Sequence, residues 1–119
     1  MQKKMQTFND GIVNIYSVKN IAEPGNMPKE GLTLKVGPLR YNERTVGMSR
    51  YWTAMQAQAR IDTVLRVQRI RNISVQDVAV PNDGEQYRIK QIQYPEDVVP
   101  DVMDLSLERI DAKYDIKRT

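Results

Sequence analysis

The sequence predicts a mainly β fold: a small antiparallel β-barrel of about six strands, with one α-helix near residues 48–60 and long loops. Three observations carry this reading. A β-rich run, Thr63-Val64-Leu65-Arg66-Val67-Gln68-Arg69-Ile70, precedes a hairpin that turns on Asn82-Asp83-Gly84, where Gly and its Asn and Asp neighbours supply the positive φ of a tight turn. Period-two alternation recurs at Leu32–Val36 and at Val102–Ile110. Helical periodicity is confined to one stretch, between Met48 and Ala59.

In chain order, Asn9-Asp10-Gly11 is a turn-like triplet that leads into a strand from Gly11 to Val18. There Ile12, Tyr16 and Val18 share one face and Val13 and Ile15 the other, which predicts cover on both faces, from within the subunit or from a neighbour. Asn20 to Gly31 holds two prolines, two glycines and no periodic pattern, so it reads as a loop. A loop that long in a small domain is either disordered in isolation or a functional element, and both hold if it orders on assembly. Leu32-Thr33-Leu34-Lys35-Val36 alternates apolar in and polar out, and Gly37-Pro38 ends the strand or bends it sharply. Leu39 to Val46 resumes pairing, with Leu39 and Tyr41 on one face and Arg40, Asn42 and Arg44 on the other.

Met48, Tyr51, Trp52, Met55 and Ala59 then fall on one helical stripe, with Ser49 placed to cap its start. Trp52 reads as the anchor of that stripe in the core. In the central strand Leu65 and Val67 point inward, and Arg66 and Gln68 outward. Beyond the hairpin, Tyr87 and Ile89 are out of phase with Ile92 and Tyr94, and a β-bulge near Lys90-Gln91 restores the register. Pro95 to Pro100 is an acidic, turn-rich link. In the last strand Met103, Leu105 and Leu107 face inward against Asp104, Ser106 and Glu108. The extension 111–119 carries alternating charges, with only Tyr114 and Ile116 as apolar anchors, so it is either loose or docked on another chain. Residues 1–119 read as a single domain without repeats.

Composition narrows the chemistry. The chain has no cysteine and no histidine, which removes disulfides, thiolate and imidazole metal ligands and the common nucleophile–base pairs. The carboxylate pairs Asp83/Glu85 and Glu96/Asp97 sit in turns, where acidic residues serve the backbone. No glycine cluster forms a phosphate cradle, so the reading is a non-enzyme without cofactor or metal. Lys and Arg number 18 against 15 acidic residues, a net charge of +3 that does not announce a nucleic-acid binder. The apolar runs fall far short of the roughly 20 residues needed to cross a bilayer, and Gln6, Thr7, Asn9 and Asp10 stand where a signal peptide needs apolar residues. No membrane association or export is expected.

The order of elements resembles a known family. Val46-Gly47-Met48-Ser49-Arg50-Tyr51-Trp52-Thr53-Ala54 opens a helix, and Thr63-Val64-Leu65-Arg66-Val67 follows as a strand. Asn82-Asp83-Gly84-Glu85-Gln86-Tyr87-Arg88-Ile89 is then the hairpin, and Met103-Asp104-Leu105-Ser106-Leu107-Glu108-Arg109 the closing strand. This arrangement, over Leu32 to Ile110, resembles the head–tail joining, or head-closure (stopper), proteins of long-tailed bacteriophages. The resemblance implies a small β-barrel subunit of the virion neck, assembled in the bacterial cytoplasm. It would form a homo-oligomeric ring, a dodecamer or hexamer, between the portal or adaptor protein and a tail-completion or tail-tube protein. That ring would close the head after packaging, touch double-stranded DNA transiently and offer the tail its platform. Carried over to this chain, the loop residues Glu23, Pro24, Asn26, Met27 and Lys29 are candidates for a channel or partner contact, with Arg40, Asn42 and Arg44 as a second group. Arg66, Arg69 and Arg71 are candidates for subunit contacts or a DNA-facing surface. Two alternatives stand beside it: another neck ring protein such as an adaptor or tail terminator, and a small barrel that binds single-stranded nucleic acid through these arginines.

Overall fold

The computed structural model describes residues 4–5, 7–44, 61–96 and 98–116, and the helix expected near 48–60 lies outside them. The described chain is mainly β, with nine strands: β1 (Lys4–Met5), β2 (Gly11–Asn20), β3 (Glu30–Arg44), β4 (Thr63–Gln68), β5 (Val78–Val80), β6 (Tyr87–Gln93), β7 (Val98–Val99), β8 (Val102–Arg109) and β9 (Asp115–Ile116). Neighbour by neighbour, the main sheet runs β2-β5-β6-β8-β4-β3, and β3 pairs again with β2. Six antiparallel strands thus close a ring. Two short parallel pairs are added, β1 on β7 and β9 on β3.

The ring closes because β3 serves two neighbours. Its residues Glu30 to Tyr41 pair with β2, and Tyr41 to Arg44 pair with β4. A strand that turns from one partner to the other must bend. The bend sits where Gly37 and Pro38 lie between the pairs Val13↔Leu39 and Ile15↔Val36, so β3 carries an extra residue there. Gly37 has φ +143°, and a Cβ on it would stand 2.5 Å from Asn14 Oδ1 and 3.0 Å from Asn14 Cα. Both the backbone conformation and the space require glycine.

A second register shift, between Ile15 and Tyr16, changes which face the β3 side chains occupy. Val36 lies opposite Ile15 and packs on the core, whereas Leu34 lies opposite Tyr16 on the outer face and is 53% exposed. The single apolar face expected over Leu32–Val36 is therefore split. The cover expected on both faces of β2 holds for Val13 and Ile15, which are fully buried; Tyr16 and Val18 are half-buried and Ile12 is exposed.

The core fills the ring from every strand: Val13 and Ile15 of β2, Tyr41 of β3, Leu65 and Val67 of β4, Ala79 of β5, Ile89 of β6, and Met103, Leu105 and Leu107 of β8. Each such large side chain contributes about 1.5–3 kcal/mol on burial. Ile92 packs on the same core because the register shifts between Ile89 and Gln91, at the bulge the sequence implied. The hairpin joining β5 to β6 turns as expected: Gly84 has φ +75°, its N–H donates to Pro81 O at 3.1 Å, and Glu85 N–H donates to Asp83 Oδ1 at 2.9 Å.

Arg66, Asp104 and Ser106 take the face away from the core, as expected, but strands β4 and β8 are covered on both faces, so these residues are buried and not solvated. Arg66 is 7% exposed, Asp104 4% and Ser106 0%. Alternation identifies the face a side chain takes and is silent on what lies over that face. Arg66 donates through Nε to Asp104 Oδ1 at 2.7 Å and through Nη2 to Asp104 Oδ2 at 3.0 Å, a buried fork between paired residues of β4 and β8. Beside it, Ser106 Oγ has no hydrogen-bond partner among the described residues.

The described part of the C-terminal extension, residues 111–116, meets its own subunit. Its residues 114–116 dock on β6 and β3 of their own subunit, through hydrogen bonds to Gln86 and Arg88 and the β9–β3 pairing.

Replacing Asp104 by Ala leaves the buried guanidinium without its carboxylate and lowers unfolding free energy by about 3 kcal/mol, whereas Ser106→Ala is neutral or stabilising by up to about 1 kcal/mol. Urea melts of the two variants check this opposition. In the same assay Gly37→Ala destabilises by about 2 kcal/mol, from backbone strain and the approach to Asn14.

Candidate functional site

The candidate residues do not converge on one place. Glu23, Pro24, Asn26, Met27 and Lys29 occupy the loop joining β2 to β3, in which every residue from Glu23 to Glu30 is exposed. The loop nevertheless has a built base. Asn20 Oδ1 accepts from both Ala22 N–H and Lys29 N–H at 3.0 Å, and Ile21 N–H donates to Lys29 O at 2.9 Å, so Asn20 gathers the two ends of the loop. At the tip Asn26 N–H donates to Glu23 O at 3.0 Å across Gly25, at φ +89°. This turn presents Met27 with 86% of its surface to solvent. An unbranched, adaptable apolar side chain at an exposed tip suits insertion into a partner's apolar site.

Arg40, Asn42 and Arg44 lie at the other end of β3, on one face of the strand. Arg40 is exposed opposite Ile12 and lines a shallow recess with Phe8, Asn9 and Gly11. Asn42 is half-buried opposite Arg66. Following the registers outward, Asn42, Arg66, Asp104 and Gln93 form one polar row across β3, β4, β8 and β6.

The three arginines separate as well. Arg66 belongs to the buried row and is committed to Asp104. Arg69, just past β4, is exposed; its backbone N–H donates to Asp101 O at 3.0 Å, and its guanidinium stands 5.0 Å from the centre of the half-exposed Tyr94 ring. Arg71 is exposed in the turn that follows. Only Arg69 and Arg71 of this trio face solvent.

One site had no distinct signal in the sequence. A cleft of about 520 Å³ opens at the mouth of the ring interior, with Tyr41, Leu65 and Tyr87 in its wall and Asp10, Glu43, Asp62 and Asp83 around it. These acids come from four separate chain segments, so spacing could not reveal them. Three of them serve the backbone. Asp10 Oδ2 accepts from Glu43 N–H at 2.7 Å, Asp62 Oδ2 from Arg109 N–H at 2.7 Å, and Asp83 Oδ1 from Glu85 N–H. They tie strand ends and a turn together at one end of the ring. Among the described residues no group of three acids lies close enough to hold a metal ion.

Electrostatics follow from this placement. Burial, reinforced by the hydrogen bond its hydroxyl donates to Asp83 Oδ2 at 2.8 Å, pushes the Tyr87 phenol up to about 12. Burial also raises Tyr41. At the loop base, the Lys29 ammonium hydrogen-bonded to Asp115 holds that carboxyl below its ordinary value. Among the described residues no helix is long and apolar enough to cross a membrane.

No family model matches this chain, and no curated protein and no solved structure matches it.

Because the phenol of Tyr87 ionises less readily in the folded chain than the ordinary value of 10.0, its contribution to stability is complete below pH 10 and is lost as pH rises toward about 12. Ultraviolet difference titration of the native protein shows tyrosine ionisation extending into that upper range, and Tyr87→Phe reduces its amplitude there by one group.

Proposed function

We propose that this chain is a structural subunit of a bacteriophage neck, a head-closure protein that assembles into a homo-oligomeric ring between the portal or adaptor and the tail. The observation that supports it most is the pairing of a closed six-stranded ring with a two-stranded ribbon, β2 and β3, that ends in a fully exposed loop from Glu23 to Lys29. A closed sheet is a rigid carrier, since its own strands leave few free edges, and the loop it carries offers turn geometry and an apolar tip to another molecule. In this reading the chain works by shape and contact. The carboxylates at the ring mouth cap backbone, and the near-balanced charge of +3 lets DNA be retained without being gripped.

A second reading has its own observation. Arg69 over Tyr94, with Arg71 exposed nearby, is a small cationic and aromatic surface of the kind that stacks unpaired bases. The burial of Arg66 leaves that surface smaller than the sequence suggested.

The deciding assay adds the purified protein to DNA-filled, tailless phage heads and measures genome release. Stoichiometric binding with reduced release, weakened by Met27→Asp, is the expected result. Release unchanged by the wild-type protein removes the closure role. Tight, steeply salt-dependent binding to single-stranded DNA that Arg69→Ala and Arg71→Ala abolish favours the second reading instead.

A further inference from the structure

The C-terminal segment is held by a different set of forces from the rest of the fold. Tyr114 bonds Gln86 twice: its N–H donates to Gln86 Oε1 at 2.8 Å, and its carbonyl accepts from Gln86 Nε2 at 2.9 Å. The Gln86 amide thus acts as a strand partner, and it is buried, with 4% exposed. The Tyr114 hydroxyl meets Arg88 Nη2 at 2.8 Å, and Lys113 pairs with Glu85 at 3.2 Å. One residue further on, Asp115 and Ile116 pair with Gly31 and Leu32 of β3, and Asp115 meets Lys29 of the loop. Tyr114 and Asp115 are adjacent, so the segment bridges the start of β6 and the distal part of the ribbon.

Both docking positions are shaped for it. A Cβ on Gly31 would stand 2.9 Å from Asp115 O and 2.3 Å from Ile21 Cδ1, so glycine is what lets the segment and the loop base close on β3. Leu32, which pairs with Ile116 here, is fully buried although it does not belong to the ring core. The hold itself is slight. The two ion pairs are exposed, at 60% and 65% for Lys29–Asp115 and 48% and 37% for Lys113–Glu85, and such pairs contribute little in water. Strand β9 is two residues long, and Ile116 is 38% exposed. The distal ribbon, beyond the point where β5 leaves β2, has no other strand partner among the described residues.

We propose that residues 111–116 are a releasable strap that holds the distal ribbon, and with it the loop from Glu23 to Lys29, against the ring. Release is a local opening that leaves the ring intact. Because Lys29 and Asp115 join the loop to the strap, a partner that takes hold of either one changes the freedom of the other, and the coupling is reciprocal. This holds whether or not the chain closes phage heads.

Hydrogen exchange on the full-length protein tests it, with two variants. Gln86→Ala removes both bonds to Tyr114 and should speed exchange at residues 17–20, 30–34 and 114–116 by about tenfold, while β4 and β8 stay as in the wild type. Lys29→Gln, a surface change that leaves the ring untouched, should act in the same direction by about twofold, and raised salt should reproduce that on the wild type. Unchanged exchange in the ribbon while 114–116 opens would show that the segment holds nothing but itself. A parallel rise in β4 and β8 would make the segment part of the ring's cooperative unit. Either result overturns the strap, and if Gln86→Ala does not fold, Lys29→Gln and the salt series decide alone.

Discussion

The structure depends on one strand having two neighbours. Residues 30–41 of β3 hydrogen-bond to β2 and residues 41–44 to β4, and only this sharing turns an open sheet into a ring. Everything inside follows from it: Tyr41, the residue at which β3 changes partner, is buried between Gly11 on one side and Val67 on the other. A straight strand cannot do this. The extra residue around Gly37 and Pro38 supplies the turn, and Asn14 presses so closely on Gly37 that no side chain fits there.

The polar row outside the ring is the counterpart of the apolar core within it. Asn42, Arg66, Asp104 and Gln93 cross four strands in register, and the central two are buried as a bidentate ion pair. Two charges taken out of water add little net stability over apolar residues of the same size. They do penalise alternatives. Sliding β4 by one residue against β8 would strand both charges away from each other, so the pair acts on register more than on stability.

Local features were legible in the sequence because their causes are local. Asn82-Asp83-Gly84 encodes its own turn, the phase change between Ile89 and Ile92 encodes a bulge, and the alternation of Val102 to Ile110 marks β8 to within a residue of its end at Arg109. The misread features were decided by distant parts of the chain. Leu34 faces solvent because a register shift against β2 splits the Leu32–Val36 alternation. Arg66 is buried with its charge met by a carboxylate 38 positions away. The docking of Tyr114 depends on a glutamine 28 positions earlier, and one glutamine before a strand is not a recognisable signal. Of the candidate site, the loop was visible from its prolines and glycines. The acidic mouth was not, since its four acids meet only once the ring has closed.

Ring closure has a further consequence, for how the molecule meets copies of itself. An open sheet offers a backbone edge on each side, and any extended chain can add to either. Here the six main strands consume most of each other's edges, and the longest stretch of ladder left open among the described residues lies in the ribbon, where Thr33 to Arg40 of β3 face away from β2 without a strand beside them. That stretch carries its own deterrents: an extra residue at Gly37, a proline without an N–H at Pro38, and Lys35, whose ammonium is anchored to Asp77 at 2.8 Å. Leu34, exposed in the middle of it, is the one apolar invitation. Among the described residues, strand addition, wanted or unwanted, finds its longest opening there.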